Sequence, residues 1–214
     1  AIDAACLSAC LDWIYLGTCT IADDEVGVLL SLLEAAAYLH IDSLRDAAME
    51  ALRTQLGPHT ALATWAVAVR QELADLTADA TMAAARHFAA ISVNETWPSA
   101  SVAQVRTLLG AEKLAAREEE VYTAAIAWLR AQSPPLGDEQ AVELLGLIRF
   151  PLLPKAFFHG TVGEEPMLQT HAGLRLLNQA LAAALPFGDP MLSTRPRRGF
   201  HQWVIAVGGF DGRT

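Results

Sequence analysis

Apolar side chains recur three and four residues apart along most of this chain, the spacing that lines one face of an α-helix. Residues 1–16 carry Ile2, Cys6, Leu7, Cys10, Leu11 and Ile14 in that register, with no capping residue expected at the start and Gly17 where a C-cap belongs. A short extended piece, 18–21, leads to Asp23 and Asp24, which can cap a helix over about 25–39 striped by Val26, Leu29, Leu30, Leu33, Ala36 and Ala37. Asp42 or Ser43 is the expected N-cap of a third helix, with Leu44, Ala48, Leu52 and Leu56 along one face and Gly57-Pro58 as its stop. The stripes of 1–16 and 25–39 have more to bury than each other, which predicts covering chain upstream of residue 1.

From residue 59 the pattern becomes a run of helix pairs. Leu62, Trp65, Ala66, Val69 and Leu73 share one face, and a helix around 78–91 offers Ala80, Ala84, Phe88 and Ile91. Pro98 breaks the chain, Ser99 or Ser101 caps a short helix ending at Leu109 and Gly110, and "REEEVYTAAIAWLRAQ" follows. Its three first-turn glutamates and last-turn Arg130 suit the helix dipole, and Val121, Ala125, Trp128 and Leu129 form its inner face. A loop at 133–138, a helix over 139–148, an exit at Pro151 and a last helix over about 171–185 complete the helical part.

At 186–199 the chain turns rich in proline, glycine and polar residues, as a linker does. Beyond it Val204, Ile205, Ala206 and Val207 read as a buried strand ended by Gly208 and Gly209. Two strands alone are already marginal in water, so this one is expected to find its partners after Thr214.

Composition narrows the function classes. With 53% hydrophobic and 18% charged residues, the 214-residue chain can bury a core. Its longest apolar run, 61–69, is shorter than the roughly 18 residues of a membrane span, and the N-terminus does not resemble a signal peptide. A cytoplasmic setting is expected, with the nucleus as the alternative. A net charge of −9 repels phosphate backbones, and the basic cluster Arg195, Arg197, Arg198 is read as solvating a linker. Cys6, Cys10 and Cys19 are an odd number without a secretory signal and lack companions at zinc-ligand spacing, so they read as small buried hydrophobes; no metal and no cofactor is expected. Phosphate-loop, nucleophile-elbow and zinc-protease motifs do not occur, and the chain is read as a non-enzyme.

Four stretches together resemble the BTB-BACK-kelch architecture of kelch-like proteins. "LDWIYLGTCTI" followed by "LLSLLEAAAYLHIDSLRDAAMEAL" is similar to the second half of a BTB domain, and "LLGAEKLAAREEEVYTAAIAWL" with "LLGLIRFPLLP" to a BACK domain. "VIAVGGFDGRT" resembles the opening strand of a kelch repeat, whose double glycine ends an inner propeller strand. The resemblance implies an all-α fold with one terminal strand: BTB C-terminal part at 1–57, BACK at 58–185, linker at 186–202, start of kelch at 203–214. The chain then resembles a fragment, lacking the BTB half that makes the family's homodimer and the blades that bind substrate.

By the same resemblance the protein bridges a cullin-3-type scaffold, held by the BTB and first BACK helices, to a protein substrate on a kelch propeller for ubiquitin transfer. Tyr38, His40, Ile41 and Asp42, at the step between the second and third helices, are the first docking candidates. Tyr38 could instead be a core residue, and Trp65 and Val69 could flank the cullin or pack inside. A scaffold that never meets a cullin would show the same helices, and a kelch-propeller enzyme is the remote alternative.

Overall fold

Asp3 opens the first helix after all: its carboxylate accepts from the Cys6 backbone N–H at 2.7 Å, an N-cap bond, where no cap was expected. Gly17 closes that helix at φ 70°, its N–H reaching the Trp13 carbonyl at 3.0 Å. The structure, a computed structural model, describes residues 2–19, 26–183 and 197. Among them the regular elements are helical, with no strand. In chain order they are α1 (Ala4–Leu16), α2 (Val26–Tyr38), α3 (Asp42–Thr54), α4 (Ala61–Arg70), α5 (Ala74–Arg86), α6 (Phe88–Ile91), α7 (Val102–Gly110), α8 (Glu118–Ala131), α9 (Asp138–Leu145), α10 (Lys155–Phe157) and α11 (His171–Ala183). The strand expected at 204–207, Gly208 and Gly209, and the caps Asp23 and Asp24 lie outside the described residues.

Three apolar clusters hold the helices. Cys6 and Cys10 of α1 meet Leu32, Ala35 and Ala36 of α2 and Leu44 of α3. Leu29 and Leu33, on another side of α2, meet Ala48 and Leu52 of α3, Val67 and Ala68 of α4 and Leu76 of α5. Burial on two sides corrects the expectation that the α2 stripe needs cover from elsewhere, because α1 and the start of α3 close one side while the rest of α3, with α4 and α5, closes the other. The outer face of α1 is different: Leu7, Leu11, Ile14, Tyr15 and Leu16 are all exposed.

The third and largest cluster runs from α4 to α11. Trp97, in the turn before α7, donates its indole N–H to the Ala124 carbonyl of α8 at 2.9 Å, and Trp128 of α8 donates to the Ala100 carbonyl at 2.9 Å. This reciprocal pair pins α8 against the turn, with the polar tip of each buried indole satisfied. Ser101 and Gln104 form a capping box on α7, and the Gln104 amide also donates to the Leu62 carbonyl of α4 at 2.9 Å. At Gly173 a Cβ would stand 2.5 Å from the Leu168 Cα, so α11 packs backbone-close on the preceding turn.

Two local expectations fail. Asp42 is the first residue inside α3 and makes no cap bond; it pairs with Arg45 at 3.2 Å. On α4, Val67 and Ala68 are buried where Ala66 and Val69 were expected, because the helix is covered from both the α2 and the α5 side and its inner face is rotated accordingly.

Arg197 does not solvate a linker. It is 7% exposed and bound to Glu118, which is equally buried, so one of the three α8 glutamates serves an ion pair rather than solvent. Arg195 and Arg198 lie outside the described residues.

Candidate docking surface

The corner between α2 and α3 is built by hydrogen bonds that only a left-handed residue permits. Ile41 N–H reaches the Ala36 carbonyl at 2.9 Å and His40 N–H the Ala37 carbonyl at 3.3 Å, with His40 at φ 56°. This is a Schellman-type helix end, and it does two things to the candidate residues. Ile41 folds back, half-buried, onto the α1–α3 cluster. Tyr38, on the last helical turn, is left 76% exposed, which removes the core reading for it. His40 and Asp42 are also exposed.

The end of α4 repeats the device. Leu73 N–H bonds the Ala68 carbonyl at 2.9 Å with Glu72 at φ 56°. Val69, on this last turn, is 55% exposed. Trp65 is 5% exposed within the largest cluster, so it supports α4 from inside and presents no surface to a partner. The two candidates of this helix thus part: one faces solvent and one the core.

Between α2, the start of α1 and the end of α4 lies a groove of about 700 Å³, lined by Ile2, Asp3 and Cys6 on one side and Ser31, Glu34, Ala35, Ala37 and Tyr38 along α2. Arg70 and Gln71 close it from α4, and Arg70 is ion-paired with Glu34 across it. Sequence reasoning missed Glu34 and Arg70. A signal existed: Glu34 stands one helical turn before Tyr38, and Arg70 is the basic residue of the last α4 turn, yet only packing brings α2 and α4 together.

The rim and floor of the groove are chemically quiet. Asp3 sits below the usual carboxylate range because the Cys6 backbone N–H bonds it. The Cys6 thiol is pushed up to about 11, first by burial and then by Asp3 beside it. Burial likewise raises Cys10 and Cys19. All three therefore carry their proton at neutral pH, the state of a packed side chain rather than of a nucleophile or metal ligand. Among the described residues no group of three or more His, Cys, Asp or Glu is arranged to hold a metal ion, and no helix is long and apolar enough to cross a membrane.

Comparison with known proteins bears on the helical body as a whole. Residues 61–163, from the start of α4 to the turn after α10, match the family described as BACK, BTB And C-terminal Kelch. Over 97% of its length the chain is 30% identical to Kelch-like protein 3 of Mus musculus and of Rattus norvegicus, and 28% identical to Kelch-like protein 2 of Rattus norvegicus. It spans 36% of the length of each of these relatives. The helix pairs, the match over α4 to α10 and the relatedness along nearly the whole chain make residues 61–163 a BACK domain and support a protein of the BTB-BACK-kelch kind.

Proposed function

We propose that this chain is the docking and spacer part of a substrate adaptor for a cullin-3-type ubiquitin ligase, non-catalytic in itself and working in the cytoplasm. The α2–α3 corner and the end of α4 receive the cullin, the BACK helices set the span, and kelch repeats hold the protein substrate. The observation that carries the reading is Tyr38: a large, rigid ring, 76% exposed, at the edge of a groove and fixed by a tightly bonded helix end. Such residues are enriched at interface hot spots, because a ring buries much area while losing little side-chain freedom. Around it Leu39 and Val69 add apolar surface, and Asp42 with the Glu34–Arg70 pair supplies a polar border.

The test is a pull-down of cullin-3 by the full-length protein. A hot spot is worth about 2 kcal/mol or more, so Tyr38→Asp should weaken capture roughly thirtyfold, with the melting temperature unchanged because the ring is in solvent. A folded, dimeric full-length protein that captures no cullin would sink the adaptor reading and leave a structural scaffold in its place.

A further inference from the structure

Glu118 is the first residue of α8, and a buried carboxylate is stable only when its charge is met. Here it is met from far along the chain. Arg197 Nε donates to Glu118 Oε1 at 2.6 Å and Arg197 Nη2 to Glu118 Oε2 at 3.4 Å. The rest of the guanidinium is used as well: Nη1 donates to the Ala111 carbonyl at 2.7 Å, just past α7, and Nη2 to the Leu147 carbonyl at 3.4 Å, just past α9. The Arg149 backbone N–H completes the Glu118 carboxylate at 3.2 Å. Three separate places in the helical body, the end of α7, the start of α8 and the turn after α9, thus aim acceptors at one planar fork of donors.

We propose that this junction is a guanidinium socket within the BACK domain, occupied in cis by Arg197, and that it fixes the point from which the chain leaves the helices toward 203–214. The inference goes beyond the adaptor reading and holds whether or not a cullin binds. Arginine is the ligand such a site selects. Its fork reaches a carboxylate and two carbonyls at once, whereas the ammonium of a lysine is a single point that cannot span them. The contacts are also mutually dependent: Arg149 is buried beside the same carboxylate, so removing Glu118 leaves two buried guanidiniums facing each other. Whatever follows residue 197 therefore starts from the α7–α8–α9 junction, at a set distance from the α2–α3 corner.

Trypsin reads this directly, because its cut requires several extended residues around the bond and a seated Arg197 withholds them. In the full-length protein, cleavage after Arg198, followed by mass spectrometry, is expected to be at least tenfold slower than in a free peptide of residues 190–204. Glu118→Gln, which keeps the shape and removes the charge, should abolish that protection, while Arg195→Ala should leave it within twofold. If Glu118→Gln also lowers helicity, Arg197→Lys carries the test, since Arg197 lies outside the helices: an unchanged helical spectrum with at least tenfold faster cleavage supports the socket. Wild-type cleavage as fast as the free peptide, or no acceleration in Arg197→Lys, overturns it.

Discussion

At Glu72 an exposed side chain sits on a backbone at φ 56°, in the region that costs a non-glycine residue roughly 1–2 kcal/mol. The Schellman-type end of α4 requires that conformation, because Leu73 N–H can reach the Ala68 carbonyl in no other way. Glycine there would remove the strain but bring about 0.5–1 kcal/mol of extra backbone entropy to the unfolded chain. The first effect outweighs the second, so Glu72→Gly should stabilise by up to about 1 kcal/mol, seen as a melting temperature higher by about 2–4 °C. A lower melting temperature would show that the carboxylate contributes more than its exposure suggests. His40 has the same geometry, but beside Tyr38 a glycine would also loosen the docking corner, so the strained residue there is tied to the proposed function. Neither left-handed position could be read from residue types, since neither is glycine or asparagine.

Among the elements, α1 is the one whose apolar pattern is only partly used. Cys6 and Cys10 are buried, yet Leu7, Leu11, Ile14, Tyr15 and Leu16 face outward. A contiguous apolar face of this kind binds hydrophobic dyes. The 214-residue chain should therefore enhance the fluorescence of such a dye in its folded state, and Leu7→Lys with Leu11→Glu should reduce the signal without lowering the melting temperature. A dye-silent wild-type chain would contradict the exposure of this helix. By contrast α2, whose stripe looks equally uncovered when written on a helical wheel, is buried on two sides. An apolar stripe shows that a helix has a face to bury; the number of neighbours that arrive to bury it depends on how the other helices cross.

On the scale of the molecule, burial acts on a thiol and a phenol in the same direction: both are shifted upward. Cys6 is pushed up to about 11, chiefly by burial, and the Tyr122 hydroxyl is pushed well above the usual phenol range by burial and then by Glu165. In both the folded state holds the proton more tightly than the unfolded chain does. The stability that Cys6 supplies is thus complete below the unfolded thiol value, near pH 9, and is lost as the pH rises through about 11, whereas that of Tyr122 is lost only above the usual phenol range. Thermal melts should fall between pH 9 and 11, and Cys6→Ala should make that fall shallower; an unchanged slope would mean that Cys6 ionises freely in the folded protein. The same scale separates what could be read in advance from what could not. Periodicity, Gly17, a serine cap at Ser99 or Ser101 and the inward face of Val121, Ala125, Trp128 and Leu129 were legible because they depend on neighbours within a few residues, and the fold chose Ser101. So was the BACK resemblance, which rests on ordered local stretches and is matched over 61–163. The groove between Tyr38 and Arg70, the burial of Trp65 against the exposure of Val69, and the seat of Arg197 on Glu118 were not. Each joins residues far apart in the chain, and a charge such as that of Arg197 reads as solvated until the fold brings a buried carboxylate to it.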